Sequence, residues 1–288
     1  MVQNKVALIS DSTCDIPWEW RNKYDIAVVP LNIIFGEQQY KDGIELTADQ
    51  FYQMLPGTKY FPSTSQPSPN DFLMAYQAAA RKGYEEALVI TISSAMSGTI
   101  NSAREAAAVS PIPVRVMDGK NNSMGLGWQV IAAARAREAG GDGPAMLKVA
   151  ERVRDNMVYF ISLDTLEFIA KGGRIGSATK FLESIIKIKP LISVNSKTGS
   201  VVPSIPAHSR HNAIEGLYKE FFNHIDTHLP MHITVLHNSA LEEAQALAER
   251  VKAEYSPVEL FISTTSPILG THTGPRALAL CGYALADQ

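Results

Sequence analysis

Short β-rich runs alternate with helical patterns throughout the first half of the chain. Apolar, β-branched runs occur at residues 6–10, 26–35, 87–92 and 114–117, and stretches with helical spacing lie between them. This alternation is typical of βα units, in which crossover helices join parallel strands. The sequence therefore predicts an α/β fold with a mainly parallel sheet in the N-terminal part.

One helix of this part is marked at both ends. Ser68 can cap it, Pro69 suits its first position, and apolar residues form a stripe as far as Lys82. A second helix is predicted to follow Ser97–Thr99, so that the serine-rich loop joins the strand at 87–92 to this helix. The loop between that strand and its helix is a place where open α/β sheets present ligand-binding groups.

The pattern changes in the second half. Strands are predicted at 158–163, 231–237 and 258–263, a helix at 240–254, and a hairpin around the turn Ser196–Gly199. A further helix is predicted to begin at Asp164, with Glu167 three residues on, and an apolar helix to end at Lys187. These elements indicate an α+β layer.

Length sets the number of domains. At 288 residues the chain exceeds the usual size of a single domain. One helix ends and another begins at Gly140–Pro144, and the domain boundary is expected there or just beyond. We predict two domains, 1–157 and 158–288, the first α/β and the second α+β.

Composition excludes several classes of partner. The net charge is -3, from 26 basic and 29 acidic residues mixed along the chain, which gives no footprint for nucleic acid and predicts at most transient membrane contact. No run approaches the 18 to 20 apolar residues, roughly, that a membrane span needs. Cys14 and Cys281 lack metal-type spacing, and no secretion signal is visible, so a cytoplasmic protein with reduced thiols is expected.

Three loops rich in hydroxyl groups suggest a binding pocket. They are Ser63–Pro67, Ser93–Thr99 and Thr271–Pro275. Each follows an apolar run or precedes a helix, so a fold could gather them. Such a pocket would offer neutral hydrogen-bond donors suited to a carboxylate or phosphate. The candidate residues are Thr64, Ser65, Ser93, Ser94, Ser97 and His272.

Two other interpretations of these loops stay open. A serine hydrolase would use Ser94 or Ser97 as nucleophile, His272 as base and Asp11 or Asp118 as orienting acid, although no G-x-S-x-G elbow is present. A plain scaffold without a ligand would use the hydroxyl groups only as helix caps.

Metal and nucleotide sites receive little support. Six of the seven histidines fall between residues 208 and 237 without an H-E-x-x-H motif, which favours solvated surface histidines. Gly125–Gly127 lacks the third glycine of a dinucleotide motif and is better explained by helix packing. No G-x-x-x-x-G-K motif occurs, so ATP binding by the chain itself is not expected, and no cofactor is predicted.

The order and spacing of several motifs resemble the DegV-like fatty acid-binding proteins, a family that includes the acyl-carrying subunit of bacterial fatty acid kinase. The resemblance extends over essentially the whole chain. The matching segments are Asp11–Asp15, Thr64–Pro67, Ser93–Thr99, Leu166–Ile175, Lys189–Pro190 and His272–Pro275.

The resemblance implies a two-domain protein that holds one long-chain fatty acid, such as palmitate, stearate or oleate, in a tunnel between the domains. Residues matching Thr64 and Ser93 or Ser94 would bind the carboxylate, with His272 nearby. A separate ATP-dependent fatty acid kinase subunit would phosphorylate that carboxylate to an acyl phosphate for phospholipid synthesis. Arg174 and Arg210 are candidates for contact with this partner or with the phosphate. The chain would be a carrier and not an enzyme.

The chain departs from the family's usual pattern at one position. The closing motif normally ends Gly-Pro-Gly, whereas Pro275 is followed here by Arg276. Glycine would permit a left-handed backbone or close packing, and arginine restricts both. The sequence alone therefore leaves the backbone conformation at Arg276 open.

Overall fold

The structure, a computed structural model, describes residues 5–177 and 188–286. The described strands are β1 (Val6–Asp11), β2 (Ile26–Val29), β3 (Asn32–Phe35), β4 (Gln38–Lys41), β5 (Ser63–Ser65), β6 (Glu86–Thr91), β7 (Val114–Asp118), β8 (Met157–Ser162), β9 (Leu191–Val194), β10 (Val201–Pro203), β11 (Met231–His237), β12 (Glu259–Thr264) and β13 (Leu278–Ala284). The described helices are α1 (Trp18–Lys23), α2 (Ala48–Met54), α3 (Pro69–Arg81), α4 (Thr99–Ala107), α5 (Ser123–Glu138), α6 (Gly143–Asp155), α7 (Glu167–Lys171), α8 (Arg210–His224), α9 (Leu241–Tyr255) and α10 (Pro267–Thr273).

The N-terminal part forms a four-stranded sheet in the order β2–β1–β6–β7, with every neighbouring pair parallel. Helices α3 and α4 pack on one face and α5 packs on the other. Because both faces are covered, the central strand β1 is buried along its whole length. The predicted parallel α/β arrangement is confirmed.

Helix α3 begins and ends where the sequence indicates. The Ser68 hydroxyl accepts a hydrogen bond from the backbone N–H of Asp71, and the Asp71 carboxylate accepts one from the backbone N–H of Ser68. This reciprocal cap satisfies two N–H groups that the first helical turn leaves unpaired. Phe72 and Tyr76 then bury the apolar face of the helix against the sheet.

The C-terminal part forms a six-stranded sheet in the order β10–β9–β8–β13–β11–β12. Only β11 and β12 are parallel among its neighbouring pairs. Helices α8 and α9 cover one face, and the other face turns toward the parallel sheet. The chain thus has a mixed α/β fold, with a parallel α/β part followed by an α+β part, as predicted; the boundary at 157/158 stays a prediction.

Helix α5 lies between the two large sheets. It contacts β1 and β6 of the parallel sheet and β8 and β13 of the six-stranded sheet. Its glycines permit this close packing, since a Cβ at Gly127 would lie 2.5 Å from the carbonyl oxygen of Cys14, and one at Gly125 would overlap the Asn121 side chain. The interpretation of Gly125–Gly127 as a packing feature is confirmed.

The strand predicted at 26–35 is wrong as a single element. Pro30 divides it: β2 ends at Val29 in the parallel sheet, and β3 begins at Asn32 in a separate antiparallel sheet of order β4–β3–β5. Proline has no backbone N–H to donate to a strand ladder, and the pairing of β2 with β1 ends at the residue before it. The small sheet packs with α2 and α10, and its strand β5 carries Thr64.

The helix expected to begin at Asp164 starts three residues later, at Glu167. The Asp164 carboxylate instead forms an ion pair with Lys189 at 2.7 Å, and the Thr165 hydroxyl accepts a hydrogen bond from the backbone N–H of Glu167. The apolar helix predicted to end at Lys187 falls on residues 178–187, outside the described residues. Among the helices that the structure describes, none is long and apolar enough to cross a membrane.

Candidate functional site

A cavity of about 280 Å³ lies between the carboxyl ends of the parallel strands and the inner face of the six-stranded sheet. Leu31, Ile92 and Asn122 enter it from the segments that follow β2, β6 and β7. Most of the remaining wall is aliphatic. These wall residues are Ile161, Ile169, Ile192, Val201, Leu236, Ile268, Leu269, Ala277 and Ala279.

Hydroxyl and imidazole groups collect at one part of this wall. Thr64 on β5 and His272 near the end of α10 share a hydrogen bond, with 2.9 Å between Thr64 Oγ1 and His272 Nε2. Pairing of β5 with β3 places Thr64 opposite Ile33, which fixes its position relative to the small sheet. Ser65 and Ser97 also line the cavity. The cavity therefore has apolar walls and one polar region.

His272 is held as a neutral imidazole. Burial lowers its pKa to about 4, and the positive charge of Arg174 adds to this effect. Its Nδ1 atom is buried without a hydrogen-bond partner in the described part of the chain. A Cβ at Gly172 would lie 2.1 Å from that atom, so the imidazole packs directly on the last turn of α7. At neutral pH this residue offers hydrogen bonding without charge.

Arg174 lines the cavity and is exposed to solvent. Its guanidinium donates to the carbonyl oxygens of Gly172 at 2.8 Å and Met96 at 3.4 Å. No acidic partner neutralises it among the described ion pairs. A positive charge thus lies beside the polar region, at the solvent side of the cavity.

The serine loop after β6 is only partly directed toward the cavity. Ser97 lines it, with its hydroxyl 2.9 Å from that of Thr99. The buried Ser93 hydroxyl donates to the carbonyl oxygen of Gly199 at 2.8 Å, and the exposed Ser94 hydroxyl donates to Asp118 at 2.5 Å. The structure therefore brings Thr64, Ser65, Ser97 and His272 to the cavity wall, and gives Ser93 and Ser94 other partners.

Arg210 and Arg276 lie away from the cavity lining and share one acidic partner. Arg210 binds both carboxylate oxygens of Glu243, at 2.9 and 2.6 Å, and the Arg276 guanidinium lies 3.7 Å from the same side chain. Arg276 has a φ of 60°, so the left-handed backbone that suits glycine is kept with an arginine in place. The Arg276 side chain is directed to Glu243.

The clustered histidines divide into two groups. His208, His211, His224 and His228 are exposed, as the interpretation of solvated surface residues predicts. The other two were not expected to be internal: His237 is buried, and His232 is half-buried, 2.5 Å from Glu259 and stacked on Tyr283. In the described ranges no group of three or more His, Cys, Asp or Glu side chains could hold a metal ion.

Several cavity residues gave no separate signal in the sequence. Ala277 and Ala279 leave space on the inner face of the six-stranded sheet, and the alternate residues Leu278 and Leu280 fill the core under α8 and α9. The alternation of small and large residues from Ala277 to Leu280 was the available signal. Met96 and Asn122, whose side chains meet at 3.0 Å, were missed because loops of this kind have no periodic pattern.

A cavity with aliphatic walls and a few convergent polar groups is typical of binding sites for amphipathic small molecules. The chain belongs to the DegV family: the profile described as "Uncharacterised protein, DegV family" matches residues 5–285. The resemblance inferred from the motifs is confirmed.

Curated and solved relatives agree with this assignment. Protein DegV of Bacillus subtilis is 31% identical over 278 residues, which cover 96% of this chain and 98% of that protein. A solved DegV family protein from Thermus thermophilus, described by its fatty acid binding, is 31% identical with a TM-score of 0.91 and covers 98% of this chain and 100% of its own. The solved B. subtilis DegV, described as a fatty acid binding protein, is 30% identical with a TM-score of 0.90 and covers the same shares.

Proposed function

We propose that this protein binds a long-chain fatty acid, such as palmitate, stearate or oleate, in the cavity between its two domains. The observation that carries the proposal is the combination of aliphatic walls with one polar region built by Thr64 and His272. The fatty acid binding described for relatives about 30% identical over nearly the whole chain supports it.

The apolar wall supplies the affinity. Burying an acyl chain of about 15 methylenes is worth up to roughly 12 kcal/mol, at about 0.8 kcal/mol per methylene, before the costs of ordering. The carboxylate is costly to remove from water and needs hydrogen bonds in return. The polar groups therefore mainly decide which end of the ligand lies beside Arg174 and solvent.

The carboxylate is held by neutral donors in this proposal. Thr64, Ser65 and Ser97 carry hydroxyl groups on the cavity wall, and burial, which lowers the pKa of His272 to about 4, favours its uncharged imidazole. Neutral donors bind a carboxylate without attracting a dianionic phosphate so strongly that product is retained. Such a site suits a ligand whose charge increases while it is bound.

The second part of the proposal is presentation to a partner. A separate ATP-dependent fatty acid kinase subunit transfers the γ-phosphoryl group of ATP to a carboxylate oxygen, which gives an acyl phosphate and ADP. Arg174 is the candidate for steadying that phosphate, because it lies on the cavity wall and is exposed. Arg210 is paired with Glu243 outside the lining, so its predicted contact is with the partner protein and not with the phosphate.

A carrier role fits the site better than hydrolysis. A serine hydrolase needs a histidine base bonded to the nucleophile and oriented by an acid. Ser94 is bonded to Asp118, while the Nε2 atom of His272 meets Thr64. The Nδ1 atom of His272 has no acidic partner in the described part of the chain, and a pKa of about 4 makes this imidazole a weak base.

The first experiment is chemical. Purified protein is denatured, extracted and analysed by mass spectrometry, and we expect about one long-chain fatty acid per chain. Protein that is empty, and that takes up no palmitate on incubation, would contradict the binding proposal.

Presentation needs a second experiment. Loaded protein is mixed with the ATP-binding kinase subunit of the same organism, and acyl phosphate formation is measured for wild type and Arg174→Ala. We expect normal loading and a rate of phosphorylation reduced at least tenfold in the variant. Equal rates would show that Arg174 has no role in phosphorylation. If wild type gives no acyl phosphate, the proposal that the protein presents its fatty acid to the kinase is contradicted.

A further inference from the structure

Asp15 forms hydrogen bonds with residues of both the N-terminal and the C-terminal parts. It follows the short 3₁₀ turn Ser12–Cys14 after β1. Its carboxylate accepts one hydrogen bond from the Ser123 hydroxyl at the start of α5, at 2.5 Å, and another from the backbone N–H of Ser266, at 3.1 Å. Its carbonyl oxygen accepts a third bond from the Ser263 hydroxyl on β12, at 3.2 Å.

The Ser266 contact matters because α10 starts at the next residue. Helix α10 contributes Ile268, Leu269 and His272 to the cavity wall. The segment before it is held from the small-sheet side by Tyr52, whose hydroxyl donates to the carbonyl oxygen of Thr265 at 3.2 Å. From the side of the parallel sheet it is held by the Asp15 side chain.

We propose that Asp15 is a positioning residue, which fixes the start of α10 and thereby the part of the cavity wall that carries His272 and Leu269. The proposal rests on the proposed function, because its effect on a ligand exists only if the cavity holds a fatty acid. Asp15 itself does not line the cavity, so it acts through Ser266 and α10.

The strength of this attachment depends on pH near neutrality. Burial raises the pKa of Asp15 to about 7, against the opposing effect of the Ser123 hydrogen bond. The ionised carboxylate accepts from both Ser123 and Ser266, whereas protonation turns one oxygen into a donor and weakens the pair of bonds. Helix α10 is then held less firmly below pH 7 than above it.

Other titratable groups surround Asp15 and enter the design of the test. The positive charge of Arg21 lowers its pKa, and the neighbouring acidic and polar side chains interact with it electrostatically. These groups are Cys14, Asp42, Tyr52, Tyr159 and Cys281. Asp42 is the one to control for, since burial raises its pKa to about 8.

The test measures palmitate release. Loaded protein is mixed with excess phosphatidylcholine vesicles between pH 5.5 and pH 8.5, and the rate of transfer is followed. For wild type we expect release to be roughly threefold to tenfold faster at pH 6 than at pH 8. Asp15→Asn should release at the fast rate at all pH values, because an amide cannot ionise. The ligand's own carboxyl group titrates equally in every variant.

Two further variants bear on the same group. Ser123→Gly removes the hydroxyl that lowers the pKa of Asp15 and suits the φ of 48° at this position, so the change in rate should move to higher pH. Asp42→Asn should keep a change in rate near pH 7. A flat profile in Asp42→Asn, or a wild-type profile in Asp15→Asn, would overturn the proposal.

Asp142→Asn is the matched control. Asp142 also accepts a backbone N–H at the start of a helix, from Ala145 at 2.9 Å, but that helix, α6, does not line the cavity. Asparagine tolerates the left-handed backbone of Asp15, whose φ is 49°, so folding is expected in both variants.

Hydrogen exchange separates this proposal from the proposed function. In protein without ligand at pH 8, amides of residues 266–274 should exchange faster in Asp15→Asn than in Asp142→Asn. Equal exchange would refute the positioning role even if palmitate binds. If exchange differs but no palmitate binds at any pH, the positioning of α10 stands and the proposed function fails.

Discussion

Thr64 and Ser94 are both hydroxyl residues in loops that the sequence singles out, but their partners differ. Thr64 meets His272 on the cavity wall, and Ser94 donates to Asp118 at the surface. Thr64→Val should therefore speed palmitate release by roughly threefold to tenfold, because one hydrogen bond to the carboxylate is lost. Release to phosphatidylcholine vesicles measures this effect.

Ser94→Ala provides the comparison for that variant. Its release rate should equal that of wild type, because its hydroxyl does not reach the cavity lining. The sequence alone predicts that Ser94 binds the carboxylate and that its loss speeds release. The two variants therefore distinguish the prediction from the sequence motif from the prediction based on the structure. Slow release in Thr64→Val combined with fast release in Ser94→Ala would contradict the site described here.

Arg276 occupies a backbone conformation that glycine adopts at lower cost. At a φ of 60° a residue with a Cβ is strained by roughly 1 kcal/mol, and the ion pair to Glu243 is exposed and worth little. Arg276→Gly should raise the free energy of unfolding in urea by about 0.5 to 1 kcal/mol without changing palmitate release. A lower unfolding free energy would show that the Glu243 contact outweighs the strain.

At the scale of elements, α7 and α10 fit together through a glycine. The imidazole of His272 packs where a Cβ of Gly172 would be. Gly172→Ala should displace the imidazole from Thr64 and speed palmitate release by roughly threefold to tenfold. Gly216→Ala, inside α8 where nothing lies within 4 Å of the added methyl group, should leave release unchanged and stabilise the protein by up to about 1 kcal/mol.

Local signals predicted elements well where the chain satisfies its own backbone groups. Helix α3 is an example, because Ser68 and Asp71 cap it within four residues. Prediction failed where a distant residue competes: Asp164 is drawn to Lys189, 25 residues away, and so does not cap α7. It failed again at Pro30, where one apolar run supplies strands to two sheets.

At the scale of the molecule, the sequence indicated an α/β domain followed by an α+β domain, and part of the polar region, but not the shape of the cavity. The hydroxyl-rich loops predicted that Thr64 would lie at the site, and the motif before Arg276 predicted the same of His272. Whether Ser93 and Ser94 face a ligand depends on partners such as Gly199 and Asp118, which only folding brings close. The space itself comes from the short side chains of Ala277 and Ala279. Such residues are common in buried strands and do not by themselves indicate a cavity.

Ala279 is expected to limit the length of the bound chain. Ala279→Leu adds three carbons to the cavity wall, so the fatty acid extracted from the protein should be shorter by about two to three methylenes. Leu280→Ala, on the opposite face of β13, should lower stability by roughly 2 to 5 kcal/mol and leave chain length unchanged. Mass spectrometry of extracts and urea unfolding measure the two effects.

A buried carboxyl group makes the whole fold sensitive to pH. Asp42 is 3% exposed, and burial raises its pKa to about 8 against the opposing effect of a hydrogen bond with the Ser12 side chain. The unfolded chain ionises this group above about pH 4 and the folded chain only near pH 8. The stability that protonated Asp42 contributes is thus complete below pH 4 and lost as pH rises through 8.

Asp42→Asn removes this dependence. We expect the free energy of unfolding to decrease between pH 5 and pH 9 in both proteins. The decrease should be smaller in Asp42→Asn than in wild type by roughly 2 to 5 kcal/mol, at about 1.4 kcal/mol per pKa unit. Urea unfolding at each pH provides the measurement. Glu45→Gln, at an exposed position of the same loop, should follow wild type. Parallel curves for Asp42→Asn and wild type would refute this account.

Pro30 has a consequence for how a ligand enters and leaves. Only Pro30 and Leu31 separate β2 from β3, and the backbone N–H of Leu31 donates to the Ser12 hydroxyl at 3.1 Å. So short a connection limits how far the small sheet, which carries Thr64, can move relative to the end of β2. We therefore expect Thr64 to stay in place relative to the parallel sheet while a ligand enters or leaves the cavity.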